Sequence, residues 1–162
     1  MTFSRSSVSR PAGRLLLALA LVSGLFGGVA TTSAPPAQAA AISASVAVRA
    51  LQFAASRRGS PYQWGATGPR RFDCSGLTQW AYRHAGKRLP RTAAQQYYAT
   101  ARVSRAHARR GDLVFFISRA QGIHHVGIYA GNGMIWNAPH TGTRVRLQRI
   151  WSSAAVFHRV RR

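Results

Sequence analysis

Cys74 is the only cysteine of the chain, and it sits in the run Phe72-Asp73-Cys74-Ser75-Gly76-Leu77. A lone thiol cannot close an intramolecular disulfide. It can serve as a small buried hydrophobe, as a metal ligand, or as a nucleophile. Around it the inventory of other reactive groups is short. Asp73 and Asp112 are the only carboxylate side chains, because the chain contains no glutamate. A two-carboxylate glycosidase would consume both, and the Gly111-Asp112 pair is already explained as a turn into a strand. Calcium or magnesium sites built from oxygen ligands would lack ligands. Six histidines are present, but none shows the HExxH type of spacing that marks a zinc hydrolase. Nucleophilic catalysis by Cys74 is the chemistry that survives, with a histidine to move its proton and a polar side chain to orient that histidine.

The elements that must position these groups follow from pattern. Before Cys74 lies a stretch of turn formers, Gly59-Ser60-Pro61-Tyr62-Gln63-Trp64-Gly65-Ala66-Thr67-Gly68-Pro69. After it, Leu77, Trp80 and Ala81 recur at 3/4 spacing and Gly86 follows, so residues 74–86 read as an amphipathic helix. Cys74 then stands at a helix start, where free N–H groups and the helix dipole favour a thiolate. Residues 44–57 read as an earlier helix closed by Gly59, and Thr92 as the N-cap of a short helix through Tyr98. From Leu113 onward the pattern is strands with short turns, at 113–117, 123–130, 133–137, 143–148 and 156–160. Helices first and strands second predict an α+β domain with an antiparallel sheet. Strand alternation places His125, Gly127 and Tyr129 on one face and His124, Val126 and Ile128 on the other. Gly127 is expected to make room beside His125 for the Cys74 helix.

A cysteine at a helix start, a histidine on a strand and an asparagine on the next strand form the parts list of a Cys-His-Asn hydrolase. Taken in order, Tyr62-x-Trp64-Gly65, Asp73-Cys74-Ser75-Gly76-Leu77, Leu89-Pro90-Arg91, Gln95, Gly111-Asp112-Leu113-Val114-Phe115-Phe116, His125-Val126-Gly127-Ile128-Tyr129 and Asn137-Ala138-Pro139 resemble the signature of NlpC/P60 cysteine peptidases. The resemblance covers roughly residues 46 to 160. It implies a papain-like NlpC/P60 fold, with N-terminal helices packed on a central antiparallel sheet and no cofactor. It also implies the catalytic set Cys74, His125 and Asn137, with Tyr62 at the substrate cleft. Asp73 and Ser75 are candidates to meet a polar or cationic end of the substrate, with capping of the Cys74 helix as their alternative. The implied substrate is the peptidoglycan stem peptide, cut between D-glutamate and the following diamino acid. Two departures stand out. Asn137 occupies a position where the family often has histidine, which leaves His140 as a rival orienter. Ala66 replaces a frequent second glycine.

At the start of the chain, Arg5, Arg10 and Arg14 precede an apolar run from Leu15 to Ala30, and Ala37-Gln38-Ala39 offers small residues two apart. That is the layout of a secretory signal peptide over residues 1–39, with cleavage before Ala40 and no membrane span afterwards. Residues 40–162 then form one catalytic domain, secreted or held at the cell wall. The charge balance is extreme: 23 lysines and arginines oppose two acidic residues, for a net charge of +21. Such a surface attracts polyanions, and for an exported protein anionic wall polymers are the expected partner beside peptidoglycan. Specific nucleic-acid binding is not expected, because the arginines are dispersed with no basic helix or zinc-finger spacing. The competing readings are a Cys-His amidase acting on another wall amide, and a cationic wall-binding or toxin protein.

Overall fold

The computed structural model describes residues 36–161, with side chains from Val46 onward. Three helices come first: α1 (Pro36–Ser56), α2 (Cys74–His84) and α3 (Ala93–Tyr98). Six strands follow, β1 (Ala101–Val103), β2 (Leu113–Ser118), β3 (Gly122–Gly131), β4 (Met134–Asn137), β5 (Arg146–Arg149) and β6 (Val156–Arg159), with a single 3-10 turn at Arg105–His107. The strands form one sheet in the order β1-β6-β2-β3-β4-β5, antiparallel throughout. The α+β expectation holds. The leader reading at 1–39 lies outside the described residues apart from 36–39, which are helical.

α1 begins earlier than the apolar periodicity indicates. Pro36 takes the first helical position, where a missing N–H costs nothing, and no glycine or proline interrupts the chain until Gly59. Its Ala50, Leu51 and Ala54 are buried, and the Phe53 ring meets Trp80 of α2 edge-on at 6.0 Å. α2 is capped at both ends. Asp73 accepts the Gly76 N–H at 2.6 Å, while Gly86, at φ 95°, lets the Lys87 N–H turn back to the Tyr82 carbonyl at 2.8 Å. Thr92 caps α3 as expected, and Gln95 completes the reciprocal capping box.

Leu113, Phe115, Val126 and Ile128 turn one face of the sheet toward the helices, where they join Leu77, Trp80, Ala81 and Tyr82. Val114, Phe116, Ile135, Ala155 and Phe157 build a smaller apolar layer on the opposite face. The sheet departs from expectation at two places. β1 is too short for its alternation to be read, and it exists through pairing with β6, Val103 opposite Phe157. Residues 143–145 do not extend β5. Instead they hold the loop before Cys74: the Tyr62 N–H donates to the Thr143 carbonyl, the Gly59 N–H to Val145, and the Val145 N–H to Ser60, at 2.8–2.9 Å. That ladder fixes the loop against the sheet.

Candidate active site

Cys74 is the first residue of α2 and is 8 % exposed. Its placement depends on Gly76, because a Cβ there would lie 2.1 Å from the Ala66 carbonyl oxygen. Only glycine lets the 63–69 loop close over the helix start. The Asp73 N–H donates to that same carbonyl at 3.0 Å. The backbone amides of Val126 and Ser75 and the Ser75 hydroxyl lie near the Cys74 sulfur and favour its charged form. Val126 follows His125 directly, so β3 brings its histidine within one residue of the group that touches the thiol.

The thiolate expected from the helix start is not what the surroundings favour. Burial pushes the Cys74 thiol above its ordinary range, and the neighbouring Asp73 carboxylate pushes it the same way. The amides that reach the sulfur pull in the opposite direction and do not prevail. The charge stabilisation expected from the helix end is offset by Asp73, the residue that caps it.

His125 is 5 % exposed and Asn137 is fully buried. Asn137 Oδ1 stands 3.1 Å from His125 Nε2. The amide is itself oriented, because Asn137 Nδ2 donates to the Arg146 carbonyl on β5 at 3.3 Å. Its oxygen must therefore accept from the ring, so His125 carries its proton on Nε2 and keeps the Nδ1 lone pair free. Burial lowers the His125 pKa to about 4; the Asn137 bond opposes this, while the nearby charges of His124 and His140 add to it. His140 is exposed and turns its Nδ1 to the Thr141 carbonyl at 2.9 Å, so the rival orienter is not bonded to His125.

Gly127 makes room, but for a different neighbour than expected. A Cβ at this position would lie 2.9 Å from Ile135 Cδ1, 3.0 Å from the Trp136 carbonyl oxygen and 3.2 Å from Asn137 Cβ. The space serves β4, and through it the approach of Asn137 to His125. The body of the Cys74 helix packs against Val126 and Ile128 on the other face of the sheet, while Cys74 itself, at the helix start, lies against the Val126 backbone next to His125.

Asp73 is engaged from several sides. It caps α2 through Gly76, accepts the Gly65 N–H at 2.9 Å, and pairs with Arg91 through both carboxylate oxygens. Arg91 also donates to the Ser75 hydroxyl at 3.0 Å. Tyr62 is half-buried beside this group. Burial and the charges of Cys74 and Asp73 raise its pKa, with Arg91 opposing. The structure thus gathers Tyr62, Asp73, Ser75 and Cys74 in one place, with Arg91 added. The second carboxylate, Asp112, stays outside the site: it is buried, accepts two bonds from Arg159 at 2.8 and 2.9 Å, and caps the turn at Arg109.

Three contributors escaped the sequence reading of the site. Arg91 stood in a recognised run without a role; the one available signal was that a chain with two carboxylates must partner each of them. Gln96, not Gln95, is the buried tether, donating to the Ser75 and Pro90 carbonyls at 3.0 and 2.9 Å while Thr78 donates to it at 2.7 Å. Trp151 stacks on Phe116 with ring centres 3.9 Å apart and stands 5.4 Å from the His125 ring. It roofs the histidine from the β5–β6 connection, a contact no local spacing encodes.

The sequence profile of the NlpC/P60 family matches residues 59–161. A probable endopeptidase of Corynebacterium glutamicum is 46% identical over 114 residues, which is 70% of this chain and 53% of that protein. The bifunctional muramidase/DL-endopeptidase CwlT of Bacillus subtilis is 49% identical over 95 residues, covering 57% of this chain and 29% of that protein. The chain thus spans about half or less of these relatives' lengths. Among solved structures, the P60 domain of antigen MAP1204 from M. avium subspecies paratuberculosis superposes with a TM-score of 0.65 at 28% identity, covering 73% of this chain and 96% of that domain.

Proposed function

The chain belongs to the NlpC/P60 family, and from that premise we propose that it is a cysteine endopeptidase hydrolysing peptidoglycan stem peptides at the bond between D-glutamate and the diamino acid. The observation that carries the chemistry is the His125–Asn137 hydrogen bond, made by the residue next to Val126, whose backbone lies at the Cys74 sulfur. With Nε2 protonated and held by Asn137, Nδ1 takes the thiol proton as Cys74 attacks the amide carbonyl. The imidazolium so formed passes that proton to the departing amine. Water, deprotonated by Nδ1, then attacks the thioester and releases the acid, restoring the thiol. As the first helical residue, Cys74 has no intrahelical partner for its own N–H, which makes that group the oxyanion donor.

Tyr62, Asp73 and Ser75 form the substrate-binding side of the cleft, with Arg91 holding Asp73 and Ser75 in place. The choice of bond is supported by the naming of the B. subtilis relative as a DL-endopeptidase. Export through a leader at residues 1–39 would bring the enzyme to its substrate in the wall. The deciding experiment is mass spectrometry of muropeptides digested with residues 40–162, beside Cys74→Ala and His125→Ala. Fragments ending at D-glutamate, absent with both variants, are expected. Fragments cut at another amide would replace the assigned bond. Unchanged muropeptides, with salt-sensitive wall binding, would overturn the peptidase reading.

A further inference from the structure

The far half of α2 carries a feature that the proposed chemistry does not use. Gln79 and Arg83 of α2, with Arg88 and Leu89 of the following segment, line a pocket of about 290 Å³. Gln79 Nε2 donates to the Leu89 carbonyl at 3.0 Å and so ties the segment to the helix. Arg83 lies nine residues beyond Cys74, which along a helix separates the pocket from the thiol by about 13 Å. Both arginines are exposed.

These two charges have no counter-ion among this chain's side chains. Asp73 and Asp112 are its only carboxylates, and each is bound to another arginine, Arg91 and Arg159 respectively. Two arginines lining one pocket bring a charge of +2 and forked N–H donors, a chemistry suited to a tetrahedral oxyanion. The pocket is larger than one such anion fills, and the apolar Leu89 gives its wall a carbon-facing side. Those features fit a phosphate with organic groups on either side better than a bare ion.

We propose that the Gln79–Arg83–Arg88 pocket binds a phosphate group of a phosphodiester-linked polyol, and so anchors the domain to an anionic polymer independently of the Cys74 site. The two forks grip the non-bridging oxygens, and the polyol carbons lie against Leu89. This gives a location to an attraction that net charge alone would spread over the whole surface.

The test is calorimetric titration of the full chain with a short glycerol-phosphate oligomer at about 150 mM salt, where diffuse attraction is screened within ~8 Å. The double variant Arg83→Gln/Arg88→Gln is compared with a charge-matched control, Arg102→Gln/Arg119→Gln, whose residues are exposed on β1 and at the β2–β3 turn. The pocket variant should lose about tenfold or more in affinity, against about twofold for the control. Inorganic phosphate should compete with the oligomer on the unaltered protein. Equal losses in both variants would overturn the site in favour of bulk charge, as would no binding by the unaltered protein. Inorganic phosphate binding as tightly as the oligomer would overturn the polymer reading in favour of a free anion. Because the readout is binding, failure here leaves the hydrolytic proposal standing, and failure of hydrolysis leaves this one.

Discussion

At Cys74 two local fields compete. The start of α2 supplies free N–H groups that attract a thiolate; burial and the carboxylate of Asp73 repel one, and they win. His125 is displaced the opposite way, to about 4. A thiol pushed up and an imidazole pushed down rest together as two neutral groups at neutral pH. The proton then moves only when a substrate carbonyl is present to receive the sulfur, which spares the thiol from needless reaction. Alkylation kinetics test this directly, because the rate follows the thiolate fraction. The rate of Cys74 modification by iodoacetamide should keep rising as pH passes about 9, beyond the free-thiol range. A plateau reached by pH 7 would show a thiolate–imidazolium pair and refute the neutral resting state.

The strands decide whether His125 is useful at all. Asn137 reaches it because β3 carries Gly127 where β4 crosses closest, and the contacts a Cβ would meet there are the Trp136 carbonyl oxygen, Ile135 and Asn137 itself. Gly127→Ala must therefore push β4 outward. It should cost about 1–3 kcal/mol of stability, as overpacking typically does, and lower kcat on a soluble stem peptide about tenfold or more while leaving KM near its original value. Unchanged kcat in a folded Gly127→Ala protein would show that Asn137 has no part in orienting the ring. The same elements show how far the sequence could be read. Helices α2 and α3, with their capping residues Asp73 and Thr92, were legible because caps and 3/4 spacing are local signals. So were the long strands around Phe115 and Val126. The role of Gly127 was not, because a glycine announces a close approach without naming what approaches. Nor were β1 and the 143–145 ladder, which exist through partners more than fifty residues away, nor Trp151, whose contact with His125 joins two separate loops and strands of the sheet.

Across the whole molecule, burial has placed two histidines where a charge is unwelcome. His125 lies under Phe116 and Trp151. His158 is packed between Tyr97 and Phe115, its Nδ1 meeting the Thr100 hydroxyl at 3.1 Å and its Nε2 without a partner among the described residues. Burial lowers the pKa of both. The consequence for folding has a definite sign. Above about pH 6.5 both the folded and unfolded chains hold neutral imidazoles, and stability is complete. As the pH falls from there toward the folded value of about 4 for His125, the unfolded chain binds a proton that the folded chain refuses, and stability is lost. For His125 alone the loss approaches roughly 3 kcal/mol, at 1.36 kcal/mol per unit of pKa difference, and His158 adds to it in the same direction. Urea unfolding at pH 7.5, 6.5, 5.5 and 4.5 should show a midpoint that holds over the first interval and then falls steadily. Trp151→Ala, which removes the roof and lets water reach the ring, should flatten that fall by bringing the folded pKa of His125 nearer its ordinary value. A midpoint constant down to pH 4.5, or a fall equally steep in Trp151→Ala, would mean that the buried histidine is not what sets the acid limit of this domain.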